Sequence, residues 1–264
     1  MENLNELANV AVLAAKEARN TVKKFIESGF KIDMKGPANL VTEADLAAEK
    51  IIVETIKKTY PEHSFLGEEK VKAETNAENL WVIDPIDGTT NFTHDVPVVG
   101  ISIAFSHKGE VVVGCVLNPF TDDLYLAIKG KGSTLNDKPI KVSSAEKISD
   151  SLIATGFYYG LGNDLNVSLD VIKTLIDKEC HGIRRMGAAS IDLCYVASGK
   201  FDAYFELKLN CWDFAAGMLL VREAGGIITN PAGIDLTLND SQLIASNTSV
   251  HPHILAILNE RKSS

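Results

Sequence analysis

Two aspartates three residues apart, Asp84 and Asp87, stand in the stretch WVIDPIDGTTNF (81–92), followed at once by Gly88, Thr89 and Thr90. Two like carboxylates within ~4 Å repel by ~4 kcal/mol at an effective dielectric of about 20, and a divalent cation removes that penalty. An Asx-turn with a helix cap accounts for one of the two acids and leaves the second without a purpose. The amides of Gly88, Thr89 and Thr90 can open a helix, whose unpaired N–H groups favour an anion such as phosphate. The pattern asks for a metal ion beside a phosphate.

Other acids join this pair. Glu68 in HSFLGEE, Asp45 in TEAD and Asp213 in CWDFAAG each have an ordinary explanation alone. Aspartate is a preferred N-cap, and Thr42 with Asp45 makes a possible capping box. Taken together, Glu68, Asp84, Asp87 and Asp213 are oxygen donors placed at a strand end or a helix start. A set without His or Cys suits Mg²⁺, which keeps several waters and accepts substrate phosphate oxygens. Two such ions can clamp the attacking and leaving oxygens of an in-line displacement.

Rival chemistries lack their key residues. The D-x-D-G-T of haloacid-dehalogenase-like phosphatases places its nucleophile where this chain has Pro85. KGKGST (129–134) lacks the spacing of a phosphate-binding P-loop and reads as a turn before a strand. Arg184 and Arg185 read as a solvated or interface patch, and His251 and His253 as surface histidines.

The elements that must carry these residues follow from periodicity. Leu4, Leu7, Ala8, Ala11, Ala14, Ala15, Ala18 and Val22 recur at helical spacing until Gly29. KGPANLVT (35–42) reads as loop, and a helix runs from Thr42 to about Thr59. Strands are predicted for HSFLG and for LWVID, the latter ending at Asp84 because Pro85 lacks an N–H. VVGISIAFSHKGEVVVGCVLNPF reads as a hairpin turning at Lys108 and Gly109, with LYLAI as the next strand. A polar stretch, KVSSAEKISDS, marks a boundary, giving an α+β half at 1–145 and an α/β half at 146–264. The second half reads as strands at 152–156 and 202–207, helices at 164–178 and 188–198, and a helix from near Asp213 to Gly225. GGIIT and QLIASN are strands before a terminal helix. Helices are predicted to cover sheets on both sides.

The 264 residues suit one large domain or two tightly packed halves. With 45% hydrophobic residues the chain can bury a sizeable core. Its 26 basic and 35 acidic residues give a net charge of -9, which speaks against nucleic acid as a partner. Cys115, Cys180, Cys194 and Cys211 form no C-x-x-C, so free buried thiols in a reducing cytoplasm are expected. The opening MENLNELANVAVLAAKEARN is too acidic and punctuated for a signal peptide. No apolar run approaches the ~20 residues of a membrane helix.

These motifs resemble the inositol monophosphatase family. WVIDPIDGTTNF and WDFAAGMLLVREAGG look like its two signatures, and LVTEAD, GEE and GKGSTLNDKPIKVS match further landmarks in the same order along nearly the whole chain. The resemblance implies a layered αβαβα sandwich of the inositol monophosphatase and fructose-1,6-bisphosphatase type, with the site between the halves. It implies that Glu68, Asp84 and the carbonyl of Ile86 hold one Mg²⁺, that Asp84, Asp87 and Asp213 hold a second, and that Glu68 helps a third. The attacking water would be oriented by Glu68 and Thr89, with Asp45 accepting from the Thr89 hydroxyl. Gly88 and Thr89 amides would bind the phosphate. Asp87, Gly187, Ala189 and Glu206 would face the substrate. GAAS stands where animal enzymes have GTAA, so Ala188 and Ser190 change the polarity beside the leaving group. The implied activity is Mg²⁺-dependent, lithium-sensitive hydrolysis of a small phosphorylated metabolite by a cytoplasmic homodimer. Inositol monophosphate leads the candidate substrates. Fructose 1,6-bisphosphate, 3′-phosphoadenosine 5′-phosphate, histidinol phosphate and NADP(H) are alternatives, as is a non-enzymatic, metal-responsive regulatory role.

Overall fold

The computed structural model describes residues 3–36, 39–157 and 162–262. Helix α1 (Leu4–Ser28) buries Leu7, Ala11, Ala14, Ala15, Ala18 and Val22 along one stripe, and Gly29 ends it. Strands β1 (Ile32–Gly36) and β2 (Asn39–Thr42) pair antiparallel, Met34 opposite Leu40. This corrects the loop predicted for 35–42. Cross-strand pairing, with Gly36 opposite Asn39, overrides the breaker signal of Gly36, and residues 37–38 of the predicted loop lie outside the described residues. Helix α2 (Glu43–Lys57) starts from the Thr42 cap, as predicted, and ends two residues before Thr59.

Next come β3 (Ser64–Gly67), β4 (Asn79–Asp87), the short α3 (Thr89–Thr93), β5 (Gly100–His107), β6 (Glu110–Leu117), β7 (Leu124–Ile128), β8 (Ser133–Leu135) and β9 (Lys138–Ile140). Among the described residues they build a sheet of seven strands in sequence order, β3 parallel to β4 and the rest antiparallel. Strand β4 is buried on both faces from Leu80 to Asp87, which is why its apolar residues run on without alternation. The β5–β6 hairpin turns at Lys108 and Gly109, both at positive φ.

The remaining elements are β10 (Leu152–Thr155), α4 (Asn163–Asp177), β11 (Gly182–Arg184), α5 (Ala189–Ala197), β12 (Ala203–Glu206), α6 (Cys211–Glu223), β13 (Ile227–Thr229), β14 (Leu243–Ser246) and α7 (His251–Lys262). Their strands form a second sheet in the order β11-β10-β12-β14-β13. Strand β11 is an addition to the sequence reading, too short for a periodic signal.

Three apolar clusters define five layers. Helices α1 and α2 pack on one face of the first sheet around Trp81, Ile83 and Phe105. Helices α5 and α6 fill the space between the two sheets, where Phe214, Ala216 and Leu220 join Val82 and Val116 to Tyr204 and Ala245. Helices α4 and α7 cover the far face of the second sheet around Val171, Phe205 and Ile254. The αβαβα sandwich is thereby established, and it explains why the middle of α6, from Phe214 to Val221, is apolar all round.

His251 corrects a surface assignment. It is 5% exposed and lies between the Ser246 and Thr229 hydroxyls, with Nδ1 2.9 Å from Ser246 and Nε2 3.0 Å from Thr229. The cysteines are free, with Cys115, Cys194 and Cys211 buried and Cys180 half-buried.

Candidate active site

Strand β4 does not stop at Asp84. Its partner β5 pairs Ser102 with Asp84 and Gly100 with Asp87, so three steps on β4 answer two on β5. One extra residue in a strand is a β-bulge. In a regular strand, residues three apart point to opposite faces; the bulge at Pro85 and Ile86 brings Asp84 and Asp87 to the same one. The Ile86 N–H, freed from the ladder, donates to Asp84 Oδ1 at 3.1 Å. Gly88 then takes φ 92°, a left-handed conformation that turns the chain into α3.

Around this corner four other segments meet. Strand β3 runs parallel to β4 with Gly67 beside Ile83, so Glu68 emerges next to Asp84. Asp45 closes the capping box of α2 by accepting from the Thr42 N–H at 2.8 Å. Its other oxygen, Oδ1, accepts from the Thr89 hydroxyl at 3.1 Å, a hydroxyl that also lies 3.1 Å from the Ile86 carbonyl. Asp213 is not the cap of α6: the helix begins at Cys211, and Asp213 in its first turn accepts from the Asn210 N–H at 2.7 Å. Asp87 accepts from the Ser190 N–H at 2.6 Å, at the start of α5.

Glu68, Asp87, Gly187, Ala189, Glu206 and Asp213 line a cavity of about 220 Å³. Asp45 and Asp84 are buried, at 0% and 1% exposure. Burial pushes the Asp45 carboxyl up to about 6, against the hydrogen bonds from Thr42. Burial likewise pushes Asp87 up to about 6, against the hydrogen bonds from Ser190. Asp84 is driven well above the usual carboxylate range by burial and then by Glu68, Asp87, Asp213 and Asp45. Asp213 is raised by burial and by Asp87.

As placed, no three of the described acidic, histidine or cysteine side chains close tightly enough on one point to enclose a metal ion. The carboxylates are brought within each other's fields, but their side chains do not form a finished cage. Their chemistry still fits a hard divalent cation. The donors are all oxygen, and a cation removes the like-charge cost of ionising Asp84.

The cavity holds residues that sequence reasoning left out. Asp192 of α5 is 1% exposed, and its Oδ1 has no hydrogen-bond partner among the described residues. Burial, Glu206 and Asp87 raise its carboxyl well above the usual range. Glu206 is pushed up to about 7 by burial, against a hydrogen bond of 2.5 Å from the Tyr204 hydroxyl. Arg185 is exposed and also lines the cavity, with its guanidinium 5.5 Å from the Phe157 ring centre. Lys208 lines it as well. An acid on an otherwise apolar helix, as at Asp192, is the one signal in the sequence that pointed there.

The profile of the inositol monophosphatase family matches residues 3–263. The chain belongs to this family. Its members are metal-dependent phosphatases, and the chain is an enzyme of that kind. Among its relatives, the inositol-1-monophosphatase of Rhizobium meliloti (strain 1021) is 41% identical, the match covering 92% of each chain. The Nus factor SuhB of Escherichia coli (strain K12) is 38% identical, over 98% of each. The crystal structure of extragenic suppressor protein suhB from Bartonella henselae superposes with a TM-score of 0.91 at 35% identity, over 97% of this chain and 99% of that one. These matches agree with the αβαβα layering. Among the described residues no helix is long and apolar enough to cross a membrane.

Proposed function

We propose that this phosphatase hydrolyses inositol monophosphate to inositol and phosphate with Mg²⁺, at the cavity between the halves 1–145 and 146–264. The observation that carries the reading is the contact of Thr89 with both Asp45 and the Ile86 carbonyl at the β4 bulge. Glu68, Asp84, the Ile86 carbonyl, Asp87 and Asp213 are the residues that would hold two or three ions. Bound there, Mg²⁺ supplies acidification of a water and neutralisation of charge on the phosphate and leaving oxygens.

The chain's own groups do the rest. With its proton committed to Asp45, the Thr89 hydroxyl turns a lone pair outward to accept from the attacking water. Glu68 accepts the other proton. The water oxygen forms a bond to phosphorus, the ester P–O bond breaks opposite it, and the leaving alkoxide takes a proton from a second water to become the alcohol, the hydroxide so formed being neutralised by the proton that Glu68 accepted. The Gly88 and Thr89 amides, at the head of α3, face the phosphate oxygens. Gly187, Ala189 and Glu206 face the alcohol; a carboxylate at Glu206 accepts from its hydroxyls, which favours a polyol. Catalysis of this kind is positioning plus electrostatics.

Free thiols and the relatives' bacterial sources support a cytoplasmic setting, and the homodimer is an expectation of the family. The test is phosphate release from a panel of inositol, sugar, histidinol and nucleotide phosphates, with Mg²⁺ and with EDTA. Inositol monophosphate is expected to turn over fastest, and only with the metal. A faster release from fructose 1,6-bisphosphate, 3′-phosphoadenosine 5′-phosphate, histidinol phosphate or NADP(H) reassigns the substrate. The similarity to proteins named Nus factor SuhB favours a second, non-enzymatic role on the same fold, to which silence across the whole panel would point.

A further inference from the structure

The turn that carries Glu68 is held from two sides by charges. On one side Glu49 of α2, 2% exposed, accepts from the N–H groups of Glu69 at 3.0 Å and Lys70 at 2.7 Å. On the other, Lys72 returns antiparallel beside Leu66, and its Nζ donates to the carbonyls of Gly67 at 3.0 Å and Glu68 at 2.9 Å. The same ammonium stands 5.3 Å from the ring centre of Trp212, the residue directly before Asp213. One atom thus touches the segment bearing Glu68 and the segment bearing Asp213, which are far apart in sequence and belong to different layers.

We infer that Lys72 is a positioning residue: it latches the Glu68 turn to the first turn of α6 through Trp212, and so sets the spacing of Glu68 from Asp213 and the affinity for the neighbouring cations these two acids would hold on either side of Asp84. This rests on the metal-site reading proposed above. The physical grounds are the types of contact. An ammonium donating to two carbonyls makes charge-assisted bonds that a neutral side chain cannot replace. Its attraction to the indole face adds a directional contact at 5.3 Å. Lys72 is exposed, yet its ammonium engages two carbonyls and faces an aromatic ring together. Glu49 fixes the turn to its own half of the molecule; Lys72 is the group that carries the fixation across to α6.

The test uses the full chain and reads cation binding directly, by titrating Mn²⁺ and following the free ion by electron paramagnetic resonance. In parallel, phosphate release is titrated with Mg²⁺ and thermal melting is recorded under EDTA. Lys72→Met is expected to weaken Mn²⁺ binding about tenfold. The half-saturating Mg²⁺ concentration should rise by a similar factor, with a much smaller change in kcat. Lys72→Arg, which keeps the charge, the donors and the ring contact, restores most of the affinity. Unchanged Mn²⁺ binding in Lys72→Met overturns the inference, including the case where only the melting temperature falls. If Lys72→Met fails to fold, Lys72→Gln gives the same comparison, since it keeps one donor and loses the charge. Absence of Mn²⁺ binding in the unaltered protein is a different failure: it removes the metal-site reading itself.

Discussion

The Thr89 hydroxyl donates to Asp45 Oδ1 at 3.1 Å, joining the head of α3 to the first turn of α2 across 44 positions of sequence. The other oxygen of Asp45 is engaged by Thr42, so one carboxylate both caps a helix and orients a hydroxyl beside the bulge. Removing the Thr89 hydroxyl should therefore harm chemistry far more than folding. Thr89→Ala is expected to lower kcat by about 100-fold, the lower range for a positioned proton acceptor, with little change in KM. Thr89→Ser should recover most of the rate. Steady-state kinetics with melting curves separate the two effects.

Asp45→Asn should behave differently, because it weakens a cap as well. At pH 7.5 the cost of the weakened cap is expected to be offset by removal of a buried charge, so stability should not fall, while kcat falls like that of Thr89→Ala. The double variant should be little slower than either single one, since the two residues act as a unit. Additive losses would separate their roles.

Acidity should control both stability and metal response. Asp45 and Asp87 ionise at about 6 in the folded chain against 3.8 for the ordinary carboxyl, mainly because they are buried. Raised carboxyls stabilise the fold fully below about pH 4, and that contribution is lost as pH rises through about 6. The EDTA-treated protein should therefore melt at a lower temperature at pH 7.5 than at pH 5.5. Mg²⁺ should raise the melting temperature more at pH 7.5, where the carboxylates are free to bind it. Calorimetry at both pH values checks this.

Asp213→Asn keeps the size of a side chain that accepts from the Asn210 N–H but removes a charge. The fold should persist, turnover should fall to background, and the Mg²⁺-dependent rise in melting temperature should shrink. An active variant insensitive to EDTA would contradict the metal reading.

Glu206 lies against Gly156 so closely that a Cβ there would stand 1.8 Å from Glu206 Oε2. Gly156→Ala should push the carboxylate aside. KM for inositol monophosphate should rise about tenfold, in the range of one lost polar contact. Hydrolysis of p-nitrophenyl phosphate, which has no hydroxyls for Glu206, should change little. Equal loss on both substrates would mean Glu206 does not read the alcohol.

Much of this arrangement is visible in the residue order, and the exceptions have identifiable causes. The capping box at Thr42 and Asp45, the hairpin at Lys108 and Gly109 and the stripe of α1 are local effects of neighbours within a few positions. The strand predicted to end at Asp84 continues because pairing with Gly100 resumes beyond the bulge. The helix expected to start near Asp213 begins two residues earlier at Cys211, with Asn210 as its cap, so the ordinary capping explanation of Asp213 falls to Asn210. His251 was placed on the surface by its polarity, yet two hydroxyls from β13 and β14 satisfy it within the core.

The sequence alone determined the family signatures and most elements, because those depend on side-chain type and short spacing. Only the tertiary structure decided which way Asp84 and Asp87 point, that Asp192 and Arg185 face the same cavity as Glu206, and that Lys72 reaches Trp212. Each depends on strand register or on packing between layers, where residues far apart in the chain become neighbours only when the two sheets close on α5 and α6.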